Sequence, residues 1–473
     1  MKDMELAFTP AWQLAEMIRT RAISPVELTE MFLRRIEKLD HNLNAYLTVA
    51  GDQAMESARQ AESAVRTDNE IGPLHGIPIA IKDLNSTKGL KTTRGSLLFK
   101  DFVPTEDDIT VARIRQAGAI ILGKTNTPEF GHSGTTENLL GDACRNPWNP
   151  ERTAGGSSGG AGAGLAAGLH PLAQGSDGGG SIRIPASMCG VFGIKPTQGR
   201  VPRAYSGPGG WGMFSQNGPM ARTVRDAAIL LQVMAGPDRD DPTCINSDPP
   251  DFSAMLDDGV KSLRFGLSVD LGSLPVDVEV KKAIEDAAKV FEGMGAIVEP
   301  VKVDFDHDHI RDVFSTIWLS DYAANYGQQI LNDPDSITPL LLGFIEEAVT
   351  WPASKLALAL RELEWHKARV DTLVQQYDLL LTPTLATTAF PVGQRPTSIA
   401  GQPVDQVWGF TPFTFPINMS GHTAASVPVQ FSAQGMPIGM HIIGRRGDES
   451  TVLRASAAFE KARPWSDKVP EIA

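Results

Sequence analysis

Gly175-Ser176-Asp177-Gly178-Gly179-Gly180-Ser181-Ile182-Arg183-Ile184-Pro185, preceded by Gly155-Gly156-Ser157-Ser158-Gly159-Gly160, is the most informative part of the chain. Glycine has no Cβ, so consecutive glycines let main-chain N–H groups turn toward a bound group and approach it closely. A glycine triplet directly before Ser181 predicts several amides around that hydroxyl, an array able to hold the oxyanion of a tetrahedral intermediate. The regular apolar residues after Ser181 predict a helix start, whose dipole favours developing negative charge. A single Gly-Gly-Ser is satisfied by a tight turn; two such clusters favour a site.

A serine hydroxyl is a weak nucleophile until a base takes its proton. Histidines such as His75, His132, His170, His307, His309, His366, His422 and His441 are scattered, and none of these sits in a motif that singles it out. Lysine serves when burial brings its pKa toward neutrality. Lys82 ends the apolar run Ile77-Pro78-Ile79-Ala80-Ile81 and is the candidate, although a lysine at a strand end is ordinarily solvated.

Upstream the pattern is helical. Thr9-Pro10 reads as a cap with proline at the first helical position, and Ser24-Pro25-Val26-Glu27 as a capping box. A third helix is expected over Asp52–Val65. Downstream, helices are predicted over Thr110–Ala117, Arg222–Ala235, Val278–Met294 and from Ile310 to Gln376. Strands are predicted at Ala119–Leu122, Leu263–Leu267, Ala296–Val301 and Leu379–Leu381, with paired strands across Pro428–Ile443. This alternation predicts one α/β fold, a large mixed sheet with helices on both faces. Residues 1–70 are expected as a helical segment packed on a single large domain spanning 71–473.

The 473 residues are 42% hydrophobic and 21% charged, sufficient for a large core. A net charge of −13 with no basic cluster argues against nucleic acid as a partner. Cys144, Cys189 and Cys244 form no CxxC pair or disulfide framework. The N-terminal residues lack the apolar core of a signal peptide, and no stretch is apolar enough to span a bilayer. A soluble cytoplasmic protein without metal or cofactor is expected.

Several motif matches fail on context. Gly118 to Thr125 fits GxxxxGK[ST], but its middle residues are strand formers instead of a phosphate-wrapping loop. Gly155 to Gly159 fits GxSxG without the strand a nucleophile elbow follows. Gly162 to Ala167 fits GxGxxA, again with no leading strand, and its small residues suit close helix packing. Asp306-His307-Asp308-His309 reads as an acidic helix start, since adjacent side chains do not converge on one ion. Trp318, Tyr322, Trp351 and Trp365 read mostly as core.

Gly76 to Asp83, Gly123 to Gly131, Arg145 to Asn149, the two glycine-serine stretches and the run to Thr197 together resemble the amidase signature family. The similarity is strong from about Gly76 to Gly236, with a weaker C-terminal part at Gly435 to Met440. It implies a serine hydrolase that cleaves a C–N acyl bond. Ser181 would attack the acyl carbon, and Ser157, held by a cis peptide, would bridge Ser181 to a neutral Lys82 acting as base. The amides of Gly178, Gly179, Gly180 and Ser181 would form the oxyanion hole, with Asp177 and Arg183 orienting the loop and Ser158 in support. Residues 237–376 would be a more variable, mainly helical substrate side. Tyr205, Trp211, Phe214, Phe314 and Trp318 suggest a bulky, partly apolar amide, anilide or carbamate, with ester cleavage as a side activity. A monomer or homodimer acting on a small molecule is expected. The alternative within the same resemblance is the glutaminase component of the tRNA-dependent amidotransferase, its A subunit. Against it, the lysine segment continues Lys82-Asp83-Leu84 instead of Lys-Asp-Asn.

Overall fold

A computed structural model describes residues 3–67, 71–203, 211–303 and 305–473. An eleven-stranded sheet organises the chain. In spatial order its strands are Tyr46–Val49, Ile120–Thr125, Pro78–Lys82, Leu172–Asp177, Gln216–Ala221, Phe192–Lys195, Ala424–Phe431, Pro437–Gly444, Leu379–Pro383, Arg264–Leu267 and Ile297–Pro300. Pro78–Lys82 runs parallel to both neighbours. It is buried along its whole length, which explains its continuous apolar run in place of alternation. Leu172–Asp177 pairs antiparallel with Gln216–Ala221, setting Asp177 opposite Gln216. The sheet is therefore mixed, as expected. The C-terminal hairpin slips register between Pro428 and Gln430, where proline offers no N–H to the ladder.

Local signals succeed where the needed partner lies nearby. Ser24 Oγ accepts from the N–H of Val26 and Glu27, and Glu27 returns a bond to the Ser24 N–H at 3.2 Å. Thr223 caps Val224–Met234. Thr9 does not cap. Its hydroxyl bonds back to the Glu5 carbonyl, and the N–H groups of Ala11 and Trp12 donate instead to Asp226 at 2.9 and 2.8 Å. A remote buried carboxylate outcompetes the local threonine.

The N-terminal helices share one buried cluster with the sheet. A second cluster gathers aromatics around helix His307–Asn332, with Phe314, Trp318 and Tyr322 buried. Trp351 is half-buried, whereas Trp365 is 65% exposed and belongs to no core. Asp306 caps that helix by accepting from the His309 N–H, which accounts for the Asp-His-Asp-His run. Tyr205 lies outside the described residues. All three cysteines are free. Among the described residues, no helix is long and apolar enough to cross a membrane.

Candidate active site

The ends of two parallel strands deliver the predicted residues to one place. Lys82 closes Pro78–Lys82, and Asp177 closes the adjacent strand. The Lys82 side chain is fully buried. Its Nζ donates to Ser157 Oγ at 2.7 Å and to the Ser176 carbonyl at 3.3 Å. Among the described residues no carboxylate lies within ion-pair distance of it. Burial lowers its pKa to about 7, against a smaller upward pull from Asp177. A half-neutral amine at hydrogen-bond distance from a hydroxyl can accept that hydroxyl's proton.

Ser157 enters on a cis peptide from Gly156. Gly131 packs beside it: a Cβ there would lie 3.2 Å from Ser157 Oγ. The Ser158 N–H donates to the Ser181 carbonyl at 3.1 Å, joining the two serine segments, and Ser158 Oγ donates to the Ser176 carbonyl at 3.3 Å. Ser158 is thus a strut between the strand end and both loops. Ser181 is 8% exposed, and among the described residues its hydroxyl makes no hydrogen bond to protein.

The loop between Asp177 and Arg183 is wound around one carboxylate. Asp177 accepts from the N–H of Gly180 at 2.8 Å and of Ile182 at 3.1 Å. It also forms a fully buried ion pair with Arg183 at 2.9 Å. Burial alone would raise the Asp177 pKa; the Arg183 guanidinium overrides this and holds the carboxyl well below the usual range. Gly180 therefore differs from expectation, because its amide is already committed to Asp177. The amides of Gly178, Gly179 and Ser181 have no acceptor among the described residues. Gly180 must be glycine for another reason, since its φ is 127° and a Cβ would lie 2.4 Å from Thr414 Oγ1. The helix expected after Ser181 begins two residues later, at Arg183.

A family model described as Amidase matches residues 27–453. An acylamidase from Rhodococcus erythropolis is 37% identical over 99% of this chain and 98% of that protein. The crystal structure of a bacterial aryl acylamidase of the amidase signature family superimposes with a TM-score of 0.91 at 33% identity, covering 97% of each chain. The A subunit of glutamyl-tRNA(Gln) amidotransferase from Thermotoga maritima gives 0.79 at 31% identity over 95% of each chain. The chain belongs to the amidase family. It is an amidase signature hydrolase.

In this amidase, several site residues were invisible in the sequence. Arg183 also donates to Asn418 Oδ1 at 2.5 Å, to the Thr414 carbonyl at 3.1 Å and to His441 Nε2 at 2.9 Å. Burial, then the adjacent Arg183, pushes His441 well below the usual histidine range, so its ring is neutral and accepts. Two further lysines are fully buried. Lys195 donates to the Pro196 carbonyl at 2.9 Å, and burial lowers it to about 7. Lys124 donates to Thr87 Oγ1 and Thr92 Oγ1, both at 2.9 Å, and burial lowers it to about 8. Only Lys82 of the three touches a serine hydroxyl. Among the described residues no cluster of His, Cys, Asp or Glu has the arrangement of a metal site.

Proposed function

We propose that this amidase hydrolyses N-acyl bonds of small, partly aromatic amides through an acyl-enzyme on Ser181. Neutral Lys82 takes the Ser157 proton while Ser157 takes that of Ser181, and Ser181 Oγ bonds to the acyl carbon. The oxyanion faces the amides of Gly178, Gly179 and Ser181. The proton returns through Ser157 to the leaving nitrogen as the C–N bond breaks. Water then attacks the ester, passes its proton along the same relay to Ser181, and releases the carboxylic acid. The Ser157–Ser181 contact forms when substrate closes the site, as catalytic hydrogen bonds in unliganded enzymes often do. Esters and carbamates share this attack and oxyanion and fall within reach of the same centre.

The observation that carries the reading is the 2.7 Å contact between a fully buried lysine, with a pKa near neutrality, and Ser157. Similarity to an acylamidase and to an aryl acylamidase supports an acyl amide substrate. A glutaminase role within a larger complex is the competing reading, favoured by the similarity to the amidotransferase; the lower superposition with it and Lys82-Asp83-Leu84 speak against it.

An aryl amide panel with mass spectrometry of quenched enzyme tests the proposal. Acyl mass on Ser181, and loss of turnover in a folded Ser181→Ala variant, are expected. Retained turnover in that variant rejects the mechanism. Preferential glutamine hydrolysis, or co-purification with partner proteins, rejects the substrate.

A further inference from the structure

Trp211 packs on the first glycine of the catalytic loop. A Cβ on Gly178 would lie 3.0 Å from Cδ2 and from Cε3 of Trp211, and 3.2 Å from Cγ. Three ring atoms at nearly one distance place the glycine against the indole face. The same indole stacks on Trp318 with ring centroids 4.7 Å apart and planes 13° from parallel. Trp211 is 7% exposed, so it is mostly withdrawn from solvent.

Its backbone is unusual. Trp211 has a φ of 69°, in the left-handed region that a bulky residue rarely occupies. Such a conformation persists where its surroundings over-determine it. Here Asp321, on helix His307–Asn332, accepts from the Gly212 N–H at 3.0 Å. The Trp211 carbonyl accepts from Phe214 and Ser215 at 2.9 and 3.0 Å. Ser215 leads straight into the strand whose Gln216 pairs with Asp177. The segment bearing the indole is therefore held twice, to Asp177 through strand register and to helix His307–Asn332 through Asp321.

We propose that Trp211 is a positioning residue for the reaction: its indole, fixed by Asp321 and Trp318, sets the direction of the Gly178 amide toward the oxyanion. This rests on the acyl-enzyme reading above. Gly178 N–H has no acceptor among the described residues; the carbonyl end of its peptide plane is held by Asn418 Nδ2, which donates to the Asp177 carbonyl at 2.8 Å, and the indole packs on the glycine at the other end. An oxyanion donor contributes only if it is preorganised, and losing one costs about 100- to 1000-fold in kcat.

The test compares Trp211→Ala, Trp211→Phe and Asp321→Asn with the parent enzyme. It measures kcat, KM and inhibition by an aryl boronic acid, which mimics the tetrahedral adduct on Ser181. Trp211→Ala is expected to lower kcat about 100-fold and to weaken boronic acid binding in parallel, with KM within about threefold. Trp211→Phe keeps a flat ring and recovers most of both; Asp321→Asn falls between. Gly178→Ala should be damaging in the parent and far less so beside Trp211→Ala, because its clash partner is gone. Unchanged kcat in Trp211→Ala, or a raised KM at constant kcat, overturns the proposal. If Trp211→Ala does not fold, Trp211→Phe and Asp321→Asn decide on the same readouts. An acylated Ser181 with a Trp211 indifferent to substitution refutes this inference alone; absence of the acylated serine refutes the acyl-enzyme reading beneath it.

Discussion

Asp177 and Arg183 face each other across 2.9 Å with both side chains wholly excluded from solvent. The same carboxylate gathers the Gly180 and Ile182 amides, so one ion pair sets the curvature of the loop carrying Ser181. Removing one partner of a buried pair costs about 3–5 kcal/mol, because the other charge is left uncompensated. Asp177→Asn is therefore expected to lower unfolding free energy by about that amount, read by chemical denaturation. Activity should fall as well, since Arg183 no longer has an anion to close around. A variant as stable and active as the parent would show that the pair does not shape the loop.

The Lys82 amine makes activity and stability depend on pH in the same direction. Its neutral form is the base, so kcat/KM should rise through pH 7 and level off above 8, following the folded pKa of about 7. Unfolded, the amine titrates near its ordinary 10.5. Between 7 and 10.5 the unfolded chain holds a proton that the folded chain has released, so folding stability gains with pH across that window. Below 7 both states are protonated and the cost of the buried charge is felt in full. Lys82→Met should abolish turnover and flatten the stability slope. Activity that is flat from pH 5.5 to 8.5 would exclude Lys82 as the titrating base.

The legible part of this site was the part encoded locally. A run such as Ile77 to Ile81 announces a buried strand, and the two glycine-serine stretches announce close main-chain approach. What stayed hidden is long-range. Apart from Asp177, the partners of Arg183 lie 231 to 258 residues away, and nothing in the residue types of Thr414, Asn418 or His441 points back to it. The fate of each amide was equally hidden: Gly178, Gly179 and Gly180 read alike, yet only Gly180 is taken by Asp177. Three buried lysines ran against the rule that strand-end lysines are solvated, and the carbonyls and hydroxyls around them, with Asp83 beside Lys124, explain how they are tolerated. The same competition displaced Thr9 as a cap, because Asp226 arrives from another helix.

Helix His307–Asn332 reaches the relay as well as the oxyanion loop. Tyr322 donates its hydroxyl to the Phe130 carbonyl at 2.5 Å, and Phe130 has a φ of 49° immediately before Gly131, which abuts Ser157. Tyr322→Phe leaves that carbonyl unsatisfied in an aromatic cluster, at a cost of about 1–3 kcal/mol. A lower melting temperature and a reduced kcat with little change in KM are expected. A stability loss with kcat intact would confine Tyr322 to packing.

Lys124 tests whether the segment that follows Lys82 depends on a buried charge. Its Nζ bonds the Asn85 carbonyl, Thr87 and Thr92, and stands 3.9 Å from Asp83 Oδ1. That oxygen has no hydrogen-bond partner, so the lysine is its compensation. Burial raises the Asp83 pKa, and Lys124 is the largest influence pulling it back down. In Lys124→Met the carboxylate loses that pull and is easier to protonate. The variant should be about 3–5 kcal/mol less stable near neutral pH. The deficit should shrink as pH falls and Asp83 takes up a proton in the folded variant. Lys124→Met combined with Asp83→Asn should recover part of the loss even at neutral pH, because no buried charge is then left over. A deficit independent of pH, with no gain from the second substitution, would place the role of Lys124 in its three hydrogen bonds instead of its charge.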